Sequence, residues 1–156
     1  MKLNHKTKLF LIGLSPLAAG MVMHYALSLV LILGTVLGVA FLVIWYKAGK
    51  DAVLTGRKVS ESMIILNAPS LVFLVSAFVH EIILQSYMGI VGSLTQSFFV
   101  PLTLLSGRIT RLLGQFVSAF TGEIFVSRVF YADVISFILL IISFILGVKA
   151  GEKKKY

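Results

Sequence analysis

The sequence predicts an all-α integral membrane protein with about four transmembrane helices, and three observations carry that expectation. Of the 156 residues, 58% are hydrophobic and 13% charged, with a mean hydropathy of +1.01. Soluble domains run nearer half apolar and a quarter charged, and a soluble fold of this size would leave large apolar patches in water. The apolar residues also fall in runs long enough to cross a hydrocarbon core of about 30 Å. Finally, the basic residues lie in short polar stretches between those runs. This composition excludes a soluble enzyme and a disordered chain, and the absence of Cys excludes a disulfide scaffold. The chain reads as one multi-pass domain, 1–156.

The first apolar run covers 9–46, which is 38 residues. As one helix it would be ~57 Å long, well beyond the bilayer core. It therefore divides into helices at about 9–23 and 27–46, with a tight turn near His24 and Tyr25. Pro16 kinks the first of them or makes it re-entrant. The stretch KAGKDAVLTGRKVSES at 47–62 is polar and basic and reads as a surface loop. The third span is expected at 67–88, with Asn67 as its cap and Pro69 in the first turn.

Residues 89–107 are apolar but interrupted by Gly, Ser, Thr, Gln and Pro101. They allow three readings: a poor transmembrane helix, a re-entrant segment, or a loop packed on the outside of the bundle. The clearest periodicity follows at 108–122. Ile109, Leu112, Leu113, Phe116, Val117 and Phe120 repeat at i, i+3, i+4, i+7, i+8 and i+11, with Arg108 and Arg111 on other sides. This is the pattern of an amphipathic helix in an interface. It either closes the bundle on the outside or offers Phe116 and Phe120 to a groove on another subunit. The last span is expected at 124–148, followed by the cationic tail KAGEKKKY.

The 14 Lys and Arg residues outnumber 6 Asp and Glu, a formal charge of +8. With four spans and both termini cytoplasmic, the inner side holds Lys2, Lys6, Lys8, Lys47, Lys50, Arg57, Lys58, Lys149, Lys153, Lys154 and Lys155. That is 11 of the 14, leaving Arg108, Arg111 and Arg128 outside. A fifth span at 89–107 would lower the inner count to nine, so four spans are favoured. The basic residues are thus explained by topology in a cell membrane and by anionic lipid headgroups, not by nucleic acid. The N-terminal lysines and apolar stretch resemble a signal peptide. However, Leu17-Ala18-Ala19 lacks a small residue at the −3 position and hydrophobicity continues through it, so a retained span is expected.

Ionisable residues inside apolar spans are the natural candidates for chemistry, because placing a charge at mid-membrane costs at least ~2.5–3.5 kcal/mol. They are His24, His80, Glu81, Arg128 and Asp133. One reading is a polar cluster in the outer half that handles a proton, an ion or a metal. The other, favoured, is a structural ion pair such as Glu81 with Arg128. Met21, Met23, His24 and His80 have the donor chemistry for copper, and two imidazoles suit a haem iron. Yet Met commonly fills apolar helices and a His beside a turn often hydrogen-bonds there. No cofactor is predicted; haem and copper are the ones these residues would suit.

His80-Glu81-Ile82-Ile83-Leu84 lacks the second His of H-E-x-x-H, and no phosphate loop, nucleophile elbow or dinucleotide fingerprint occurs. An enzyme is therefore not expected. Packing signals are stronger. Gly34 and Gly38 make a G-x-x-x-G step, and Ala132, Ser136, Ser143 and Gly147 share one face of the last span. The expected function is a small non-catalytic subunit that scaffolds, stabilises or completes a membrane complex with other subunits or with copies of itself. Two alternatives stand beside it. One is an oligomeric pore, holin-like channel or transporter component lined by His80, Glu81 and Asp133. The other is a haem- or copper-binding subunit using His24 and His80.

Overall fold

A computed structural model describes residues 4–25, 30–85, 89–103 and 128–155, and among these every regular element is a helix. In chain order they are α1 (His5–Tyr25), α2 (Val30–Leu54), α3 (Val59–Phe78, prolonged by a π-helical turn Val79–Ile83), α4 (Ile90–Thr103) and α5 (Arg128–Lys155). Three stretches, His5–Met23, Val59–Ile83 and Phe130–Lys154, are long and apolar enough to cross a membrane. α2 contributes a further uncharged stretch, 30–46.

The helices begin and end elsewhere than local signals predict, for identifiable reasons. Pro16 sits inside α1 without ending it. Proline has no N–H for the carbonyl four residues back, and here Ser15 Oγ donates to that carbonyl, Ile12 O, at 2.6 Å. α2 runs through half of the expected surface loop, because Lys and Ala are good helix formers and Ala52 is buried. It stops at Gly56, whose φ of +67° is left-handed. Gly56 N–H donates to Val53 O and Arg57 N–H to Ala52 O, the paired closing bonds of a glycine-terminated helix. The loop therefore shrinks to 55–58.

α3 starts at Val59, not at Asn67. Glu61 lies in its first turn, where a negative charge suits the helix dipole, and Lys6 meets it at 2.5 Å. Asn67 is then mid-helix and buried, so it caps nothing. Its Nδ2 donates to Met63 O at 2.9 Å and its Oδ1 accepts from Trp45 Nε1 at 2.9 Å. The 89–107 stretch contains α4, a helix of intermediate length whose Thr95, Phe98, Phe99, Pro101 and Leu102 are buried. The amphipathic helix expected at 108–122, with Ile109, Leu112, Leu113, Phe116, Val117 and Phe120, lies outside the described residues.

Direct contacts fix the directions of the helices. Lys6 with Glu61 and Arg57 Nη1 within 3.0 Å of His5 Nε2 set the starts of α1 and α3 side by side. Gly13 then meets Leu66 and Pro69 further along, so α1 and α3 are parallel. α2 and α5 are also parallel and form the most extensive pair among the described helices. Ser143 Oγ donates to Leu42 O at 2.6 Å, 101 residues away, and the same offset joins Gly147 to Tyr46 and Gly151 to Lys50. α3 opposes α5, with the Phe78 and Phe130 rings 5.6 Å apart.

α4 turns back along α3. The Ser76 and Thr95 hydroxyls lie 2.7 Å apart and the Phe73 and Phe98 rings stack at 4.6 Å. The core between these elements is aromatic and aliphatic: Phe41, Trp45, Leu66, Phe98, Phe99, Leu140 and Phe144.

One end of the bundle consequently gathers the start of α1, the 55–58 turn and the last turns of α5, with Lys6, Lys50, Arg57, Lys58, Lys153 and Lys154. The other end, which we call the far end, gathers the π-helical turn and the starts of α4 and α5.

Candidate functional site in the far half of the bundle

The buried polar groups are unevenly distributed along the bundle. Asn67 is satisfied twice over, whereas Ser70, Thr95, Asp133 and Ser136 lie toward the far half. Thr95 shares its hydroxyl between Ser76 and Val91 O. Ser136 Oγ donates to Ala132 O at 2.7 Å, one turn back on α5. Among the described residues two atoms stand out: Ser70 Oγ and Asp133 Oδ1 are buried without a hydrogen-bond partner. Buried polar atoms are nearly always paired, so each exception calls for a reason.

Asp133 is the stronger of the two. It is only 2% exposed and lies three residues into the span Phe130–Lys154. Phe130, one turn before it, packs on Phe78, and one turn beyond Phe78 stands Glu81. The Glu81 carboxylate acts electrostatically on Asp133. Glu81 and His80 both belong to the π-helical turn, where Leu84 N–H reaches Val79 O at 2.9 Å. Single π-turns are frequent at functional sites because they widen the helix and re-aim its side chains. His80 and Glu81 are half-buried, and neither is without an interaction partner.

The remaining candidates fall elsewhere. Arg128 opens α5 and His24 closes α1 one residue before its end; the side chains of both lie outside the described ones. Met23 is buried at 1%, whereas Met21, two positions away, is exposed at 41%, so the two thioethers do not point into one pocket. Among the described residues, no three of His, Asp and Glu come together as a metal-ligand group.

Of the packing candidates, Gly34, Gly38, Ala132 and Ser136 are buried. Ser143 and Gly147 meet α2, and a Cβ on Gly147 would overlap the Tyr46 carbonyl. Gly49 of α2 meets α5 at Phe144 O. α1 uses Gly20 in the same way against Ser97 O. That carbonyl is the one left without its helical N–H by Pro101, four residues on.

Sequence reasoning overlooked Gly49, Gly151 and the Trp45–Asn67 bond. The spacing Ser143, Gly147, Gly151, one small residue every four, was a usable signal for the first group. No signal for the Trp45–Asn67 pairing lies in either segment alone. No known protein family, curated protein or solved structure matches this chain.

Proposed function

We propose that the chain is a four-span protein of the cell membrane, crossed by α1, α2, α3 and α5, with its basic end cytoplasmic and α4 entering partway from the opposite side. We propose further that it serves as a non-catalytic packing subunit of a larger membrane assembly. The observation that carries this reading is how its helices cross. Glycines bring backbone onto backbone between α1 and α3, α1 and α4, and α2 and α5. Crossings this close leave no conduit between those helices, and they make a stiff body suited to holding neighbours in place.

The surface available for a neighbour is the outer stripe of α3. Ile64, Leu71, Val72 and Val75 are 69%, 52%, 66% and 57% exposed and recur at helical spacing. Such a stripe suits lipid tails and an apolar helix of another subunit equally well. The basic end provides a second contact, with anionic headgroups, at about 1 kcal/mol per basic residue near the surface.

Purification of the intact protein from its native membrane in a mild detergent tests the reading. Stable co-migration with one or more larger membrane proteins is the expected result. A monodisperse single copy that survives gentle extraction overturns it. A second reading, a component of an oligomeric transporter, draws support from α4. Helices that stop partway across a membrane are common around transport sites. Ion flux from the protein alone in liposomes would favour that reading over the first.

A further inference from the structure

We propose that Asp133 is the binding group for one monovalent cation, a proton or an alkali-metal ion, taken up from the far end of the bundle. The proposal holds whether the chain works as a packing subunit or within a transporter. Its first basis is the unpartnered atom. Asp133 is 2% exposed and its Oδ1 accepts no hydrogen bond among the described residues. Buried carboxylates are stable only when paired, hydrogen-bonded or neutralised. Among the described residues no Lys, Arg or His forms an ion pair with it.

The second basis is position. Asp133 lies in the first turns of a membrane span, beneath the Phe78–Phe130 contact. A charge drawn from water on that side therefore has only a short way to travel. The third basis is the charged company. The titratable groups described at this end are His80 and Glu81 on α3 and Tyr131 on α5 itself; Arg128 opens α5, with its side chain outside the described ones. α4 carries none, and the 30–45 stretch of α2 carries none. Glu81 adds negative potential at Asp133, which favours a positive occupant.

The fourth basis is the donor chemistry on this face of α5. Ser136, one turn on, donates its hydroxyl hydrogen to Ala132 O, and a hydroxyl group also carries an acceptor oxygen. Hard cations take oxygen ligands of this kind. No thiol occurs in the chain, and no ligand set for a divalent transition metal forms among the described residues. One site and one charge are what the chemistry supports.

The test uses the full-length protein in detergent. A hydrophobic carbodiimide modifies buried carboxyls, and mass spectrometry reads the modification of Asp133 itself. It is measured across pH at constant ionic strength in choline, sodium or potassium chloride, beside the thermal unfolding midpoint. If the occupant is a proton, labelling falls as pH rises and is identical in the three salts. If it is an alkali-metal ion, labelling at fixed pH falls in sodium or potassium relative to choline. At ten times the Kd, the decrease is about tenfold by mass action.

Labelling and midpoint indifferent to both pH and salt overturn the proposal, as does an Asp133 that never labels. The Asp133→Asn variant keeps the side-chain shape and loses the charge, so it is expected to fold and to lose the cation dependence of its midpoint. An unchanged dependence in that variant also overturns the proposal. Glu81→Gln is expected to weaken the dependence without abolishing it.

Discussion

Trp45 and Asn67 show how a single side chain is assigned differently by its neighbours in sequence and its neighbours in space. Asn-Ala-Pro at 67–69 has the local form of a helix start. The helix instead begins at Val59, and Asn67 spends its amide on Met63 O and Trp45 Nε1. The indole is wholly buried and this bond is its polar contact. Between membrane helices such bonds contribute about 0.6–1.7 kcal/mol. Trp45→Phe is therefore expected to lower the unfolding free energy by roughly 1 kcal/mol beyond the loss of ring area. A double-mutant cycle with Asn67→Leu isolates the pairwise part, and additive single effects would count against the bond. Ser15 makes a related contact, on the Ile12 carbonyl that Pro16 leaves open. Ser15→Ala is expected to destabilise α1 by about 1 kcal/mol through one unsatisfied carbonyl. Ionisable residues were legible one by one, because charges are so rare in the apolar runs. Which of them is orphaned was not legible, since that depends on α3 and α5 meeting at Phe78 and Phe130.

The elements themselves were largely visible in the sequence. The apolar runs located α1, α2, α3 and α5, and the errors are at the ends: α2 is longer by the 47–54 stretch, α3 starts eight residues early, and α5 runs on through the expected tail to Lys155. The errors at α2 and α3 have one cause. Polar residues near an interface remain helical when tertiary contacts hold them, as Glu61 with Lys6 and Gly49 with Phe144 do here. The small-residue face at Ser143 and Gly147 was readable from spacing, but its partner was not, because contacts 101 residues apart leave no local trace. The α2–α5 crossing has a sharp test. Gly147→Leu has no room against Tyr46 O, and overpacking costs about 1–3 kcal/mol or more. Its thermal midpoint is expected to fall well below that of Val72→Leu, a change on the outer stripe of α3 that is expected to be near neutral. Equal effects would mean that the crossing is loose. At the α2–α3 turn, Gly56→Ala is expected to cost about 1–2 kcal/mol, because its φ is left-handed.

For the whole molecule, the sorting of charge was the most legible feature. The basic stretches at the N-terminus, near 50–58 and at the C-terminus are far apart in sequence, yet His5–Arg57, Lys6–Glu61 and Gly151–Lys50 bring them to one end. Because the chain has no Cys, single cysteines report sidedness cleanly. With an impermeant thiol reagent on intact cells, Gly89→Cys is expected to label from outside, and Thr55→Cys and Glu152→Cys only after permeabilisation. The reverse pattern would invert the topology, and a Glu152→Cys that labels with Gly89→Cys would change the span count by one.

The parallel pairing of α2 with α5 also bears on how the chain is made. During synthesis α2 leaves the ribosome long before α5, carrying Leu42, Tyr46, Gly49 and Lys50 with nothing to close over them. α3 and α4 pass before the matching stripe of Ser143, Gly147 and Gly151 arrives. The most extensive seam among the described helices is thus sealed only when α5 emerges, so until then the nascent bundle stays unfinished and exposed to quality control. A chain halted after Thr103 is accordingly expected to turn over much faster than the full-length protein in a pulse-chase measurement. Supplying the 128–156 segment as a separate helix should slow that loss.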